Sequence, residues 1–363
     1  MKKKLLTITL MGAMALTLAA CGTAAADTSN TDNSNTVHAN APVLTGGGDA
    51  GNAETAGPTF VTITDTNGDQ IVVQQYPTVV AIYDYSVLDI LYDIGFERTG
   101  ITRLITPNQA GIPDSLSFFR YSDMVVTGGS LHWVDWDVLD LLQPQLVVLG
   151  ARSFGMNAAG ERLNDDDRAT LVSDTLGRYS NTAFARLAVS TTETDFFRDV
   201  ETNVTALAAI FPSLADDLFN RLEELKAGVA DVHARAQASG LTSLLISMDS
   251  PTDISAHHPG SRFAMFYDEF GMIPVDTETT GAATVSSEYL LMQNPDVIFL
   301  MPGIRGADGD AASENFFNDP SVLRTNAAQN GRIYFLSPDA WHSTTGGFSA
   351  TARMIEDINQ FLD

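Results

Sequence analysis

Histidines are the residues of this chain with the most obvious capacity for chemistry. Most of the six histidines fall in predicted loops, namely His132, His257, His258 and His342. A neutral imidazole is a common ligand for Zn²⁺, Mn²⁺ and haem iron, so direct metal capture is one hypothesis, with His342 as the candidate iron ligand. These histidines are scattered and do not follow the spacing of a metal motif, so roles on the surface or on a pocket wall are the alternative.

Signatures of common catalytic sites are absent from the sequence. No G-x-S-x-G elbow, H-E-x-x-H motif or Walker loop occurs. Ser247, Asp249 and His257 lie close together in the sequence and have the residue types of a hydrolase triad, but chance readily supplies such a trio. We therefore predict that the protein is not an enzyme, and a secreted hydrolase is the remote alternative.

The N-terminus predicts export and lipid anchoring. Three lysines at positions 2–4 precede an apolar run, residues 5–20, that ends in Ala19-Ala20-Cys21. A positive head, a short apolar stretch and a small-residue cleavage site are typical of a signal peptide. The segment also resembles the lipobox of bacterial lipoproteins, which implies that residues 1–20 are removed and Cys21 is acylated. The alternative is an ordinary cleaved signal that happens to precede a cysteine.

The next segment predicts a flexible tether. Residues 21–58 are rich in Ala, Thr, Asn, Asp and Gly and contain no aromatic side chain, so they cannot bury enough apolar surface to fold. Cys21 is the only cysteine in the chain, so the fold that follows must depend on its core rather than on disulfides.

The charge of the chain restricts its partners. A net charge of −25 repels nucleic acid and anionic lipid, so we expect no nucleic-acid partner and contact with the membrane only through the lipid anchor. The predicted location is the extracytoplasmic face of the cell membrane, and we expect a monomer. An anionic ligand would require a local cluster of arginines to overcome the overall negative field.

Alternating strand and helix patterns predict an α/β fold with parallel sheets. Residues 60–73 predict a β-hairpin with a type I′ turn at Asn67-Gly68. Between two α/β regions, residues 195–240 show only helical periodicity, and Pro212 and Gly240 delimit one long helix over residues 213–239. We therefore predict two Rossmann-like lobes, residues 59–194 and 241–363, joined by a single long interlobe helix and separated by a ligand cleft.

The two predicted lobes contain a similar local pattern. Asp137 precedes Pro144 by seven residues, and a strand follows that proline. Glu288 precedes Pro295 by seven residues, and again a strand follows. The equal spacing indicates related lobes.

Three segments carry a resemblance to a known family. Residues 82–89, 255–263 and 336–341 resemble motifs of the substrate-binding lipoproteins of ABC importers for siderophores, haem and cobalamin, in the catecholate branch that includes petrobactin receptors. This resemblance implies capture of an anionic ferric siderophore, of catecholate type, and its delivery to a membrane permease with a cytoplasmic ATPase. No intrinsic cofactor is expected, and the ligand contains Fe(III). Haem, a corrinoid or a bare metal ion remain alternative ligands.

The resemblance also implies which residues contact the ligand. Of the three cleft arginines in the catecholate branch, Arg152 and Arg262 match two, and Gly303 stands at the third position with Arg305 close by. An ion pair in a very acidic protein is the structural alternative for each arginine. Guanidinium groups suit the role because they remain charged and offer forked donors to oxygen anions.

The iron-ligating pair of that branch is not retained. Thr280 stands at the histidine position and His342 at the tyrosine position, which favours a chelate that brings its own donor atoms. Tyr85, Trp341 and His342 are the further predicted ligand contacts. Aromatic side chains near the predicted cleft could pack on a planar chelate or belong to the core, and these are Tyr83, Tyr85, Trp133, Trp136 and Trp341.

Finally, the resemblance implies one permease-docking carboxylate in each lobe. These positions fall on Asp137 and Glu288, the acidic residues of the internal pattern. The structural alternative is an acidic residue that is favoured at a helix start by the helix dipole.

Overall fold

A computed structural model gives the fold over residues 57–179, 181–189, 196–250, 253–302 and 316–363. The side chains of six residues within these ranges are not described: Asp165, Ala169, Thr175, Leu176, Asp249 and Ser250. Cys21 and Arg305 lie outside the described residues.

The first described element is an antiparallel hairpin of β1 (Phe60–Thr64) and β2 (Gln70–Gln74). Its loop differs from the predicted type I′ turn, which needs positive φ at both central residues. Only Gly68 in this loop has a positive φ, at 87°. Asp65 organises the loop instead, because its Oδ1 accepts from the backbone N–H groups of Asn67 and Asp69 at 2.9 and 3.0 Å.

The N-terminal lobe is built on a parallel sheet, as predicted. Its strands are β3 (Val79–Ile82), β4 (Arg103–Thr106), β5 (Val125–Thr127), β6 (Leu146–Leu149) and β7 (Ala183–Arg186), in the order β5-β4-β3-β6-β7. The helices of this lobe are α1 (Tyr85–Asp93), α2 (Ser117–Arg120), α3 (Trp136–Leu142) and α4 (Asp165–Arg178). Strand order reverses between β3 and β6, and in such sheets ligands bind beyond the carboxyl ends of the strands at that point.

The C-terminal lobe has the predicted parallel strands, and two antiparallel strands extend them into a mixed sheet. Its strands are β8 (Thr242–Ser250), β9 (Asp253–His257), β10 (Ile273–Pro274), β11 (Ala282–Val285), β12 (Val297–Pro302) and β13 (Ile333–Phe335). The order is β11-β9-β8-β12-β13, with β10 beside β8. Strands β8, β12 and β13 are parallel, whereas β9 and β11 are antiparallel additions. The helical segments are α7 (Met265–Asp268), α8 (Ser287–Gln293), α9 (Asn326–Gln329) and a π-helical turn, Asp339–Ser343.

The predicted interlobe helix is present as α6 (Ala215–Ser239), which begins after a 3₁₀ turn, Pro212–Leu214, and ends at Gly240 with φ 64°. It is accompanied by α5 (Phe196–Ile210) and the C-terminal helix α10 (Phe348–Leu362), which both pack against it. Since α10 also packs against α1, the lobes are connected by a layer of helices and not by α6 alone. Among the described residues, no helix combines the length and apolar character that crossing a membrane requires.

A buried carboxylate links the two lobes at the start of α10. Asp89 of α1 is 1% exposed, and its Oδ2 accepts from the backbone N–H of Ala350 at 3.1 Å. The side chain therefore satisfies one of the unpaired N–H groups at that helix terminus. Burial raises the pKa of Asp89 to about 6.

This raised pKa predicts a specific pH dependence of stability. The folded state holds the Asp89 proton up to about pH 6, whereas the unfolded chain releases it near the ordinary value of 3.8. The stabilisation is complete below pH 3.8 and is lost as the pH rises through about 6. Relative to Asp89→Asn, we expect wild-type unfolding free energy to rise by about 1–3 kcal/mol between neutral pH and about pH 4. Urea unfolding of both proteins checks this, and a difference that does not change with pH would contradict it.

Candidate functional site

A cavity of about 260 Å³ lies between the two lobes. From the N-terminal lobe it is lined by Tyr83, Asp84, Tyr85, Leu131, Ala151, Arg152 and Val189, and from the C-terminal lobe by Arg262, His342, Ser343 and Thr345. The Tyr83–Tyr85 segment follows β3, and Arg152 follows β6. These are the two strands at which strand order reverses, so the cavity lies where the topology predicts a ligand site.

Two arginines reach the same acceptor from opposite lobes. Arg152 and Arg262 each donate through Nη2 to the backbone carbonyl oxygen of His342, at 3.2 and 3.3 Å. His342 belongs to the π-helical turn of the C-terminal lobe, and π-turns are frequent at functional sites because they redirect backbone groups. The structure therefore brings together the two arginines that the sequence singled out.

Neither Arg152 nor Arg262 forms a salt bridge among the described residues, although the carboxylate of Asp84 lies on the same cavity wall and interacts electrostatically with Arg152. In contrast, the half-buried Arg235 of α6 pairs with Asp231 and Asp363. The Nε of Arg262 is buried and has no hydrogen-bond partner among the described residues. Burial, together with the charge of Arg152, lowers the pKa of Arg262 to about 10, so it remains charged at neutral pH. The cavity therefore contains two cations with donor capacity to spare, which is suited to an anion.

Asp84 was not predicted as a site residue, although it lies within the recognised segment 82–89. It is the N-cap of α1, and its Oδ1 accepts from the N–H and Oγ–H of Ser86 at 2.8 and 2.6 Å. Burial raises the pKa of Asp84, while the nearby charge of Arg152 acts in the opposite direction. Its signal in the sequence was its position immediately before a helix and after a buried strand, which is typical of an N-cap.

Tyr85 lies on the cavity wall, as expected for a ligand contact. It is 4% exposed. Burial raises its pKa to about 12, against the lowering effect of Arg152. The hydroxyl therefore remains protonated and can donate to an oxygen of a ligand.

The expectation for Trp341 has to be corrected. Its side chain is fully buried, packs on Phe266 and Phe270, and donates from Nε1 to Oδ2 of Asp357 at 3.0 Å. It belongs to the core of the C-terminal lobe and does not line the cavity. The π-helical turn explains this, because it turns Trp341 inward while its neighbour His342 faces the cavity.

The histidines do not gather into a metal site. Within the described ranges, no group of three or more His, Cys, Asp and Glu residues could hold a metal ion. His257 and His258 are buried in the C-terminal lobe, and burial and Arg262 lower the pKa of His257 to about 4. Burial and Arg152 lower the pKa of His132. Thr280 is exposed and does not line the cavity.

Two members of the suggested hydrolase trio do form a pair. Ser247 Oγ and His257 Nε2 are 2.8 Å apart on neighbouring strands. Both residues are only 6% exposed, and neither lines the cavity, so a substrate cannot reach the hydroxyl in this structure. The pair is an internal hydrogen bond of the C-terminal lobe. The Asp249 side chain lies outside the described part of the chain.

Asp137 and Glu288 occupy equivalent positions on matching helices. Each lies in the first turn of a seven-residue helix, α3 or α8. Both helices end at a left-handed residue before the proline, Gln143 at φ 48° and Asn294 at φ 50°. Both carboxylates are exposed, and neither has an ion pair among the described residues. The repeat inferred from the sequence is thus a structural repeat.

The junctions after these helices match as well. Gln145 and Asp296 follow the prolines, and their side chains accept from the first backbone N–H of the neighbouring strand, at Val79 and Thr242, at 2.7 and 3.0 Å. Equivalent side chains therefore lock each helix to the sheet of its own lobe.

Comparisons with known proteins agree with this architecture. The chain is 25% identical over 305 residues to the petrobactin-binding protein YclQ of Bacillus subtilis, covering 82% of this chain and 86% of that protein. It is 26% identical over 153 residues to the ferric-anguibactin-binding protein FatB of Vibrio anguillarum, covering 39% of this chain and 47% of that protein.

Solved structures share the fold. The crystal structure of YclQ superposes with a TM-score of 0.69 at 23% identity, over 84% of this chain and 99% of that one. The catecholate-siderophore-binding protein VctP of Vibrio cholerae gives 0.67 at 21% identity, over 83% of this chain and all of that one.

The family profile covers most of the chain. The description of that profile is periplasmic binding protein, and it matches residues 80–340. This match includes the parallel sheet of the N-terminal lobe, helices α5 and α6, most of the C-terminal lobe and the described cavity-wall residues up to position 340. The chain belongs to the periplasmic binding protein family.

Proposed function

We propose that this protein is the lipid-anchored receptor of an ABC importer and binds an anionic ferric siderophore in the cavity between its lobes. The observation that carries the proposal is the convergence of Arg152 and Arg262 on one carbonyl oxygen, with no salt bridge at either arginine among the described residues. The printed functions of relatives such as YclQ and FatB, which bind petrobactin and ferric anguibactin, support the same ligand class.

The donor set of the cavity favours a chelate that already saturates its metal. Arginine cannot ligate iron but donates strongly to catecholate or carboxylate oxygens. Tyr85 adds a protonated hydroxyl. Among the described residues of the wall, His342 alone carries an imidazole, so the protein supplies charge-assisted hydrogen bonds in preference to metal–protein bonds. The cavity wall also includes Asp84, whose carboxylate interacts electrostatically with Arg152.

Loss of one cleft arginine should weaken ligand binding strongly. A hydrogen bond to a charged group is worth about 1.5–3 kcal/mol, so Arg262→Ala should raise the Kd for ferric petrobactin by roughly ten- to a hundredfold. Arg235→Ala is the matched control, since it removes the same charge from an exposed ion pair on α6. Titration followed by intrinsic tryptophan fluorescence measures both.

The same titration separates the role of His342. The acceptor of both arginines is the His342 backbone carbonyl, so His342→Ala keeps their placement and removes only the imidazole. We expect a smaller loss than for Arg262→Ala when the chelate saturates its iron. An unchanged Kd for Arg262→Ala combined with abolished binding for His342→Ala would contradict the proposal and favour haem or direct metal ligation.

We further propose that Asp137 and Glu288 dock the receptor onto basic groups of the permease. Both carboxylates are exposed and carry no ion pair in the described part of the chain, which leaves them available to a partner. Their equivalent placement on α3 and α8 suits a partner with two similar halves.

Charge reversal tests this docking role. Asp137→Lys and Glu288→Lys should each abolish uptake of radioactive ferric petrobactin by cells, because they place like charges opposite the permease. The Kd of the purified variants for the ligand should remain at the wild-type value. Loss of ligand affinity in either variant would show that the residue serves the ligand site or the fold.

The lipid anchor is tested at Cys21. Acylation requires the thiol, so Cys21→Ala should release the protein from the membrane or leave its signal uncleaved. Fractionation of cells, followed by mass analysis of the N-terminus, distinguishes these outcomes. A Cys21→Ala protein that is still processed and lipid-modified would refute the assignment.

A further inference from the structure

Two large apolar side chains stand out on the surface because they repeat. Leu141 of α3 is 79% exposed and Met292 of α8 is 71% exposed. Leu141 follows Asp137 by four residues, and Met292 follows Glu288 by four residues. Of the exposed large hydrophobic residues in the described ranges, only Tyr121 is comparably open, at 79%.

The repeat is a property of matched helices. The residue midway between the carboxylate and the exposed apolar side chain is Leu139 in α3 and Leu290 in α8. Both leucines point into the core and are fully buried. Because each helix thus has its inward face fixed, residues four apart on the other side share one outward face. Each outward face therefore combines an exposed apolar side chain with a carboxylate that has no ion pair among the described residues.

A single exposed apolar residue on a protein surface needs no explanation. Leu141 and Met292 call for an explanation, because they occupy the same position on two equivalent helices. Each lies beside a carboxylate without an ion pair among the described residues. The neighbouring acidic residue Asp140 is the contrasting case, since Arg178 and Tyr179 bind its carboxylate at 2.8 and 2.5 Å. The protein neutralises that carboxylate locally and leaves the face with Asp137 and Leu141 uncovered.

We propose that Leu141 and Met292 are paired apolar anchors that insert into the membrane permease next to the docking carboxylates. The inference rests on the proposed docking function and adds the chemistry of the partner. Each of the two similar halves of the permease must present a basic side chain to the carboxylate and, beside it, an apolar pocket for Leu141 or Met292. The carboxylates then give orientation and association rate, while burial of the apolar side chains gives lifetime to the complex.

Binding of the protein to its cognate permease–ATPase complex, reconstituted in lipid nanodiscs, tests this proposal. Leu141→Gln and Met292→Gln keep helix propensity and remove apolar contact. We expect each variant to raise the permease Kd about five- to tenfold, chiefly through faster dissociation, and the double variant to raise it further. The exchanges Leu141→Met and Met292→Leu keep the apolar character and should change the Kd by less than about twofold.

Controls make the outcomes distinct. Phe219→Gln on α6 is a matched loss of an exposed apolar side chain, 43% exposed, and should leave permease binding unchanged. If Asp137→Lys and Glu288→Lys abolish permease binding while both glutamine variants bind normally, the anchors are refuted and the docking function stands. If none of the four variants affects permease binding, the docking function itself fails. Reduced ferric petrobactin affinity in the glutamine variants would also overturn the anchor proposal.

Discussion

Two guanidinium groups from opposite lobes share one carbonyl oxygen in the cavity, and neither forms a salt bridge within the described residues. Bringing like charges together away from water is unfavourable, and burial, together with the charge of Arg152, lowers the pKa of Arg262. An anion placed between the arginines removes the repulsion and fills the unused donors. In a chain of net charge −25, the two arginines place positive charge at the cavity, which supports the proposed anionic ligand.

The rest of the fold keeps those charges in place. Arg152 is held at the carboxyl end of β6, next to the point where strand order reverses. Its partner acceptor, the His342 carbonyl, is presented by a π-helical turn that is anchored by the buried Trp341 and its hydrogen bond to Asp357. Helix α10 continues from that turn region to α1 and α6, so the layer of helices that joins the lobes also sets the distance between the arginines.

Regular periodicity and strong local signals made most of the fold predictable. Pro212 and Gly240 delimited the interlobe helix to within a few residues, and the proline spacing identified the repeated lobes. Geometry that depends on tertiary contacts was not predictable. The resembling segment 336–341 placed Trp341 near the ligand and left a core role open, and the π-helical turn directs its side chain into the core. The hairpin loop is another case, because the Asp65 side chain organises it through hydrogen bonds to the backbone. The Asn67-Gly68 pair alone does not predict those bonds.

The most direct test of the account is a thermal-shift panel with the unmodified protein. A ligand that binds only the folded state stabilises it by about 2.7 kcal/mol at one hundred times its Kd, which raises the Tm measurably. The panel comprises ferric petrobactin, a ferric tris-catecholate, haem, cobalamin and the bare ions Fe³⁺ and Zn²⁺. The account predicts that a ferric catecholate raises the Tm and that haem, cobalamin and the bare ions do not. A rise with haem or a bare ion, together with no response to any ferric siderophore, would contradict it.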